Sequence, residues 1–197
     1  MKIPVYKTQG IILRRFNANE FDKLLIVYTR ERGKILVKAK SLRKKEAKMK
    51  ESLELFNYVD LLLAKGKNID TITGVIIKNS FISLKSHLPS LAAAFYISEL
   101  LDKLIIGPER DERIWQLVLK AFNFLEEKER NGETIKKLLQ RFEYNLLALL
   151  GHEPACSVSP SDAGRPEQKK ASYLDSIQMI CGERIESRNF LSEAIKI

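Results

Sequence analysis

The chain has 197 residues, of which 45% are hydrophobic and 30% charged, with nine glycines and six prolines; this composition suits one full folded domain or two small ones and argues against a disordered chain. Two cysteines are too few for a disulfide framework, and no apolar run approaches the roughly 18 residues that a membrane span needs. The net charge of +9 is uneven: residues 1–80 hold 18 Lys and Arg against 8 Asp and Glu, residues 81–150 hold 10 against 10, and residues 151–197 hold 6 against 7. The whole excess is N-terminal, so it reads as a local field for a polyanion. Residues 1–7 carry no apolar signal core, and the expected location is the cytoplasm, with no membrane role.

In chain order, three strand-length runs come first: Gly10 to Arg15, Lys23 to Arg30 and Lys34 to Lys40. Turn residues at Asn17-Ala18-Asn19-Glu20 and Arg30-Glu31-Arg32-Gly33 separate them. The second and third are expected to form a hairpin. Two more runs follow, Leu55 to Ala64 and the β-branched Asp70 to Lys78. Five antiparallel strands in about 80 residues suit a small closed or partly open barrel, because closure removes exposed edges.

The third run passes into the most basic stretch of the chain. Lys34, Lys38 and Lys40 share one face of the strand while Ile35, Val37 and Ala39 take the other. Arg43, Lys44, Lys45, Lys48 and Lys50 then continue the charge through a loop or short helix. Like charges at this density repel unless an anion is expected. The phosphate-contact candidates are therefore Lys34, Lys38, Lys40, Arg43, Lys44, Lys45 and Lys48, with Arg14 and Arg15 on a neighbouring strand. Bases are held by stacking on aromatic rings. Phe16 and Phe21, flanking a polar loop, are the stacking candidates, whereas Tyr28 and Phe56 lie in apolar runs and read as core.

Near residue 81 the period changes. Leu91 to Ile106 reads as a central helix, with Leu91, Phe95, Leu101, Leu104 and Ile105 buried and Gly107-Pro108 as its stop. Asp111 is positioned to cap a second helix with Ile114, Leu117, Val118, Ala121 and Leu125 on one stripe, closed by Asn131-Gly132. A third carries Ile135, Leu138, Leu139, Phe142, Leu146, Leu149 and Leu150 at spacings of 3 and 4 up to Gly151. Residues 152–172 read as a loop, and Ser172 to Ile197 as weaker helices that dock back. The fold class is α+β, with a barrel over residues 1–80 and a helical domain over residues 81–197.

Several segments together resemble the RecO family of bacterial recombination mediators. They are Gly10-Ile11-Ile12-Leu13, Asn19-Glu20-Phe21-Asp22-Lys23-Leu24-Leu25, Tyr28-Thr29-Arg30-Glu31-Arg32-Gly33-Lys34 and Ala39-Lys40-Ser41-Leu42-Arg43. Later come Arg141-Phe142-Glu143-Tyr144-Asn145-Leu146-Leu147, Leu150-Gly151-His152-Glu153-Pro154 and Ser187-Arg188-Asn189-Phe190-Leu191. The resemblance implies an oligonucleotide-binding (OB) barrel joined to an α-helical domain. It also implies binding of single- and double-stranded DNA, annealing of complementary strands, and assistance to RecA in loading onto DNA coated by single-strand binding protein. The implied partners are RecR and the C-terminal tail of the single-strand binding protein. One departure stands out: many relatives carry a four-cysteine zinc module after the segment matching Leu150 to Pro154, but Ser159 stands where Cys156 would need its CxxC partner. The loop at 152–172 takes the module's place.

The residues themselves favour binding over turnover. His87, His152, Cys156 and Cys181 lack the paired short spacings of a closed zinc site, and no phosphate-binding glycine loop is present. No cofactor and no enzymatic activity are expected. An alternative in a different class is an interaction scaffold whose basic barrel binds RNA or an acidic protein, with Tyr96 and Phe124 lining a peptide groove; ordinary core is the competing reading of both.

Overall fold

The computed structural model describes residues 4–18, 22–40, 47–127, 131–152 and 173–195. Five strands, β1 (Val5–Asn17), β2 (Lys23–Thr29), β3 (Gly33–Ala39), β4 (Tyr58–Ala64) and β5 (Asp70–Asn79), close a barrel in the order β1-β2-β3-β5-β4. This is the five-stranded OB barrel. The expectation of five antiparallel strands is corrected at one seam: β3 and β5 close the barrel in parallel, through Val37 opposite Asp70 and Lys38 opposite Thr71. β1 begins five residues earlier than its sequence run because Val5 to Gln9 pair with Ala64 to Asp60 of β4. Cross-strand partners override the weak local signal of Lys7 and Gln9.

Alternation sends Ile12, Leu25, Val27, Val37, Ala39, Val59, Leu61, Leu63 and Ile72 into the barrel core. The other face of β1 and β2 is not left to water. Ile11, Leu13 and Tyr28 belong to a second core shared with the helices. Ile11 and Leu13 share that face by alternation, with Tyr28 paired opposite Ile11, and the register shift between Ile12 and Arg14 falls at Leu13.

The helices are α1 (Ala47–Ser52), α2 (Ile82–Ser86), α3 (Leu88–Leu104), α4 (Glu112–Glu126), α5 (Gly132–Leu149), α6 (Tyr173–Cys181) and α7 (Ser187–Ile195). α3 is central, buried along Ala92, Ala93, Tyr96, Ile97, Leu100 and Leu101. Asp111 caps α4 as expected, its carboxylate accepting from the Arg113 and Ile114 N–H groups. Asn131-Gly132 does not close α4: Asn131 caps the start of α5, its side chain accepting from the Thr134 N–H at 2.8 Å. An Asn-Gly pair serves either end of a helix, and only the amide's direction separates the two. The C-terminal helices do dock back, burying Ile177, Leu191 and Ala194.

Two left-handed phenylalanines mark where the chain enters β4 and leaves β5. Phe56 (φ 66°) and Phe81 (φ 47°) are both buried, and their rings lie 5.9 and 5.6 Å from that of Phe122 on α4. A backbone of this kind costs roughly 1–3 kcal/mol and persists where packing over-determines it. Both ends of the β4–β5 hairpin are thereby pinned to one helix.

Candidate nucleic-acid interface

The turn Thr29-Arg30-Glu31-Arg32-Gly33-Lys34, conspicuous in the sequence for its charge, is built as a joint. Thr29 Oγ1 donates to the Gly33 carbonyl at 2.9 Å and accepts from the Arg32 N–H. Glu31 reaches β1, accepting from Thr8 Oγ1 and from the Gln9 N–H. Arg30 forms a two-pronged pair with Glu112 at the start of α4, at 3.1 and 3.0 Å. Lys34 donates to the Asp102 carbonyl and lies 3.3 Å from its carboxylate, at the end of α3. Arg14 takes the same carboxylate at 2.6 Å. The hairpin tip is thus plugged into the junction of α3 and α4.

These contacts divide the phosphate-contact candidates. Lys34, with a side chain 17% exposed, and Arg14 converge on Asp102. Arg15 is turned to Glu54 at 2.7 Å and to the Leu53 carbonyl, and Lys38 to Asp22 at 2.7 Å. One continuous row of free cations is therefore not what the described residues form: four of its expected members are paired with three carboxylates of the same molecule, Asp102 serving two of them. Lys40 is exposed at the end of β3. Arg43, Lys44, Lys45 and Phe21, and the side chain of Lys48, lie outside the described residues, as do Cys156 and residues 153–172.

Of the aromatic candidates, Phe16 is 37% exposed and carries the Arg14 guanidinium 4.8 Å from its ring centre. Tyr28 and Phe56 are core, as expected. Tyr96 is also core, and its hydroxyl donates to the buried Glu143 at 2.8 Å. Burial pushes the Glu143 carboxyl above its usual range, against the opposing pull of Tyr96 and Arg188. Tyr96 lines no groove. Phe95, expected in the core, is instead 36% exposed. It borders a cleft of about 530 Å³ between the end of β1 and α3, together with Phe16, Ser98 and Ser187. Nothing in the sequence marks this cleft, because Phe95 and Ser98 sit within an apolar helical run that reads as continuous core.

Among the described residues no group of three or more His, Cys, Asp or Glu is arranged to hold a metal ion. No described helix is long and apolar enough to cross a membrane.

The described residues thus define a class by fold: a closed five-stranded OB barrel whose outer wall is built into a helical bundle. Residues 1–81 match the family model described as Recombination protein O N terminal, and residues 86–193 match Recombination protein O C terminal. The chain belongs to the RecO family. It is 33% identical over 151 residues to the DNA repair protein RecO of Symbiobacterium thermophilum, covering 77% of this chain and 58% of that protein. To the DNA repair protein RecO of Dehalococcoides mccartyi strain CBDB1 it is 38% identical over 149 residues, 76% and 57% of the two chains. That of Alkaliphilus metalliredigens is 26% identical over 174 residues, 85% of this chain and 70% of that protein. The chain thus spans just over half the length of the first two.

Proposed function

We propose that the protein is a DNA-binding mediator of recombinational repair that works by holding strands and not by turnover. On this reading it binds single- and double-stranded DNA, anneals complementary strands, and assists RecA loading onto DNA covered by single-strand binding protein, with RecR and that protein's C-terminal tail as partners in the cytoplasm. The observation that carries it is the combination of RecO family membership with an OB barrel whose β3 exit leads through Lys40 into Arg43, Lys44, Lys45 and Lys48. Backbone phosphates are bound through cations, and the bound counterions are released. The pairing of Lys34 and Arg14 with Asp102 gives those two a structural task, so the phosphate contacts fall to Lys40 and the segment after it, with Lys38 exchanging Asp22 for phosphate.

Two measurements test this. With roughly four to six phosphate contacts on a single strand, log K against log salt should fall with a slope of about −3 to −4. Replacing Lys38, Lys40, Arg43 and Lys44 together with Ala should remove most of the affinity while the circular dichroism spectrum stays unchanged. Lys34→Ala should instead lower stability and leave affinity close to wild type. Salt-independent binding, or a quadruple variant that binds as wild type does, defeats the assignment.

A further inference from the structure

We propose that the cleft between β1 and α3 receives a single unstacked nucleobase. Three features of the cleft point to this ligand, and each is a matter of chemistry. Two aromatic rings present accessible surface into it. Phe95 is held edge-on by Phe56 at 4.9 Å and by Phe190 at 6.1 Å, and Phe16 lines the cleft with Arg14 over its ring. Ser98 Oγ, on a residue only 2% exposed, is the one buried side-chain polar atom among the described residues without a hydrogen-bond partner, and Ser98 lines this cleft. Such a group costs free energy until a ligand satisfies it.

The third feature is the rim, whose cations Arg14, Arg15 and Lys103 are paired within the molecule and which also carries the carboxylates of Glu99, Glu183 and Glu186. Arg14 is paired with Asp102, and Arg15 with Glu54. Lys103 lies 3.2 Å from Glu99 and 3.3 Å from Glu183, while Glu99 also accepts from the Ser187 hydroxyl at 2.5 Å and from the Glu186 and Ser187 N–H groups. With three carboxylates against three cations, this rim offers a phosphate or a carboxylate no surplus positive charge. A neutral, flat group with polar edges needs none, and a nucleobase is such a group. Because a hydroxyl both donates and accepts, any of the four bases satisfies Ser98.

The position agrees with the chemistry. Arg15, on the wall of the cleft, contacts the Leu53 carbonyl and Glu54 just beyond α1, so the cleft adjoins the C-terminal end of α1, on the barrel side of the molecule. The inference rests on the DNA-binding reading above and adds to it a base pocket outside the barrel.

The test compares an oligothymidylate with a fully abasic strand of the same length and charge, by fluorescence anisotropy on the full chain. Wild type is expected to favour the strand with bases by roughly fivefold or more, the least that one stacked base contributes. Phe16→Ala and Ser98→Ala should each shrink that preference while the salt slope stays the same. Ser98→Ala removes an unsatisfied hydroxyl, so its loss of preference is not a loss of fold. Equal, salt-dependent binding of both strands by wild type overturns the pocket and leaves the DNA-binding reading standing. A preference that both variants retain also overturns it. Absence of binding to either strand removes the DNA-binding reading and the pocket with it.

Discussion

Gly33 is where the charged turn meets the helical part of the molecule. Its φ is +65°, and a Cβ at this position would lie 2.0 Å from the Glu109 carbonyl oxygen. Any other residue would be strained by its own backbone and would also push the α3–α4 connection away. Gly33→Ala is expected to cost at least about 1–2 kcal/mol, the left-handed penalty alone, measured as a lowered urea midpoint. A variant of unchanged midpoint would mean that the hairpin tip does not bear on the helices. The same logic assigns Lys34: as a partner of Asp102 it belongs to the joint, although its place on the strand makes it look like one more phosphate contact.

Among the elements, α4 shows its start most clearly. Asp111 accepts from the Arg113 and Ile114 N–H groups, and its carboxyl is held below the usual range chiefly by the Arg113 side chain, with those N–H groups adding to the effect. Asp111→Ala should cost about 1 kcal/mol at neutral pH, the usual value of such a cap. The sign with pH follows from linkage. A depressed folded pKa contributes stability above the unfolded value of 3.8, and that contribution is lost as pH falls through the folded value. The gap in thermal midpoint between wild type and Asp111→Ala should therefore close on acidification below pH 3.8. A gap of constant size would show that the charged cap is not its source.

For the whole molecule, the shared core decides how the parts behave. Trp115 of α4, the chain's single tryptophan, lies 6.3 Å from the Tyr28 ring and 5.7 Å from the Tyr58 ring, both on barrel strands. With Ile11, Leu13 and Tyr28 in one core with the helices, the barrel cannot unfold without exposing the helical core. Urea unfolding followed by tryptophan fluorescence and by far-ultraviolet circular dichroism should give one coincident transition. Two separated transitions would show that barrel and helices hold together independently.

The amino-acid sequence by itself determined the five strands, the change of period near residue 81, the cap at Asp111, the core position of Tyr28 and the N-terminal location of the surplus charge. These are local properties, written in alternation, helical spacing and turn chemistry within about ten residues of one another. The resemblance to the RecO family was equally legible, since it rests on the order of short segments. Only the tertiary structure decided which of the described cations are paired. Arg14 and Lys34 meet Asp102, and Arg30 meets Glu112, across more than 65 residues of chain. No spacing rule encodes a pair that folding brings together from two different elements. The cleft was hidden for the same reason: Phe95 and Ser98 read as one side of a buried helix, and only folding brings the end of β1 and residues 183–187 around them to form a cleft.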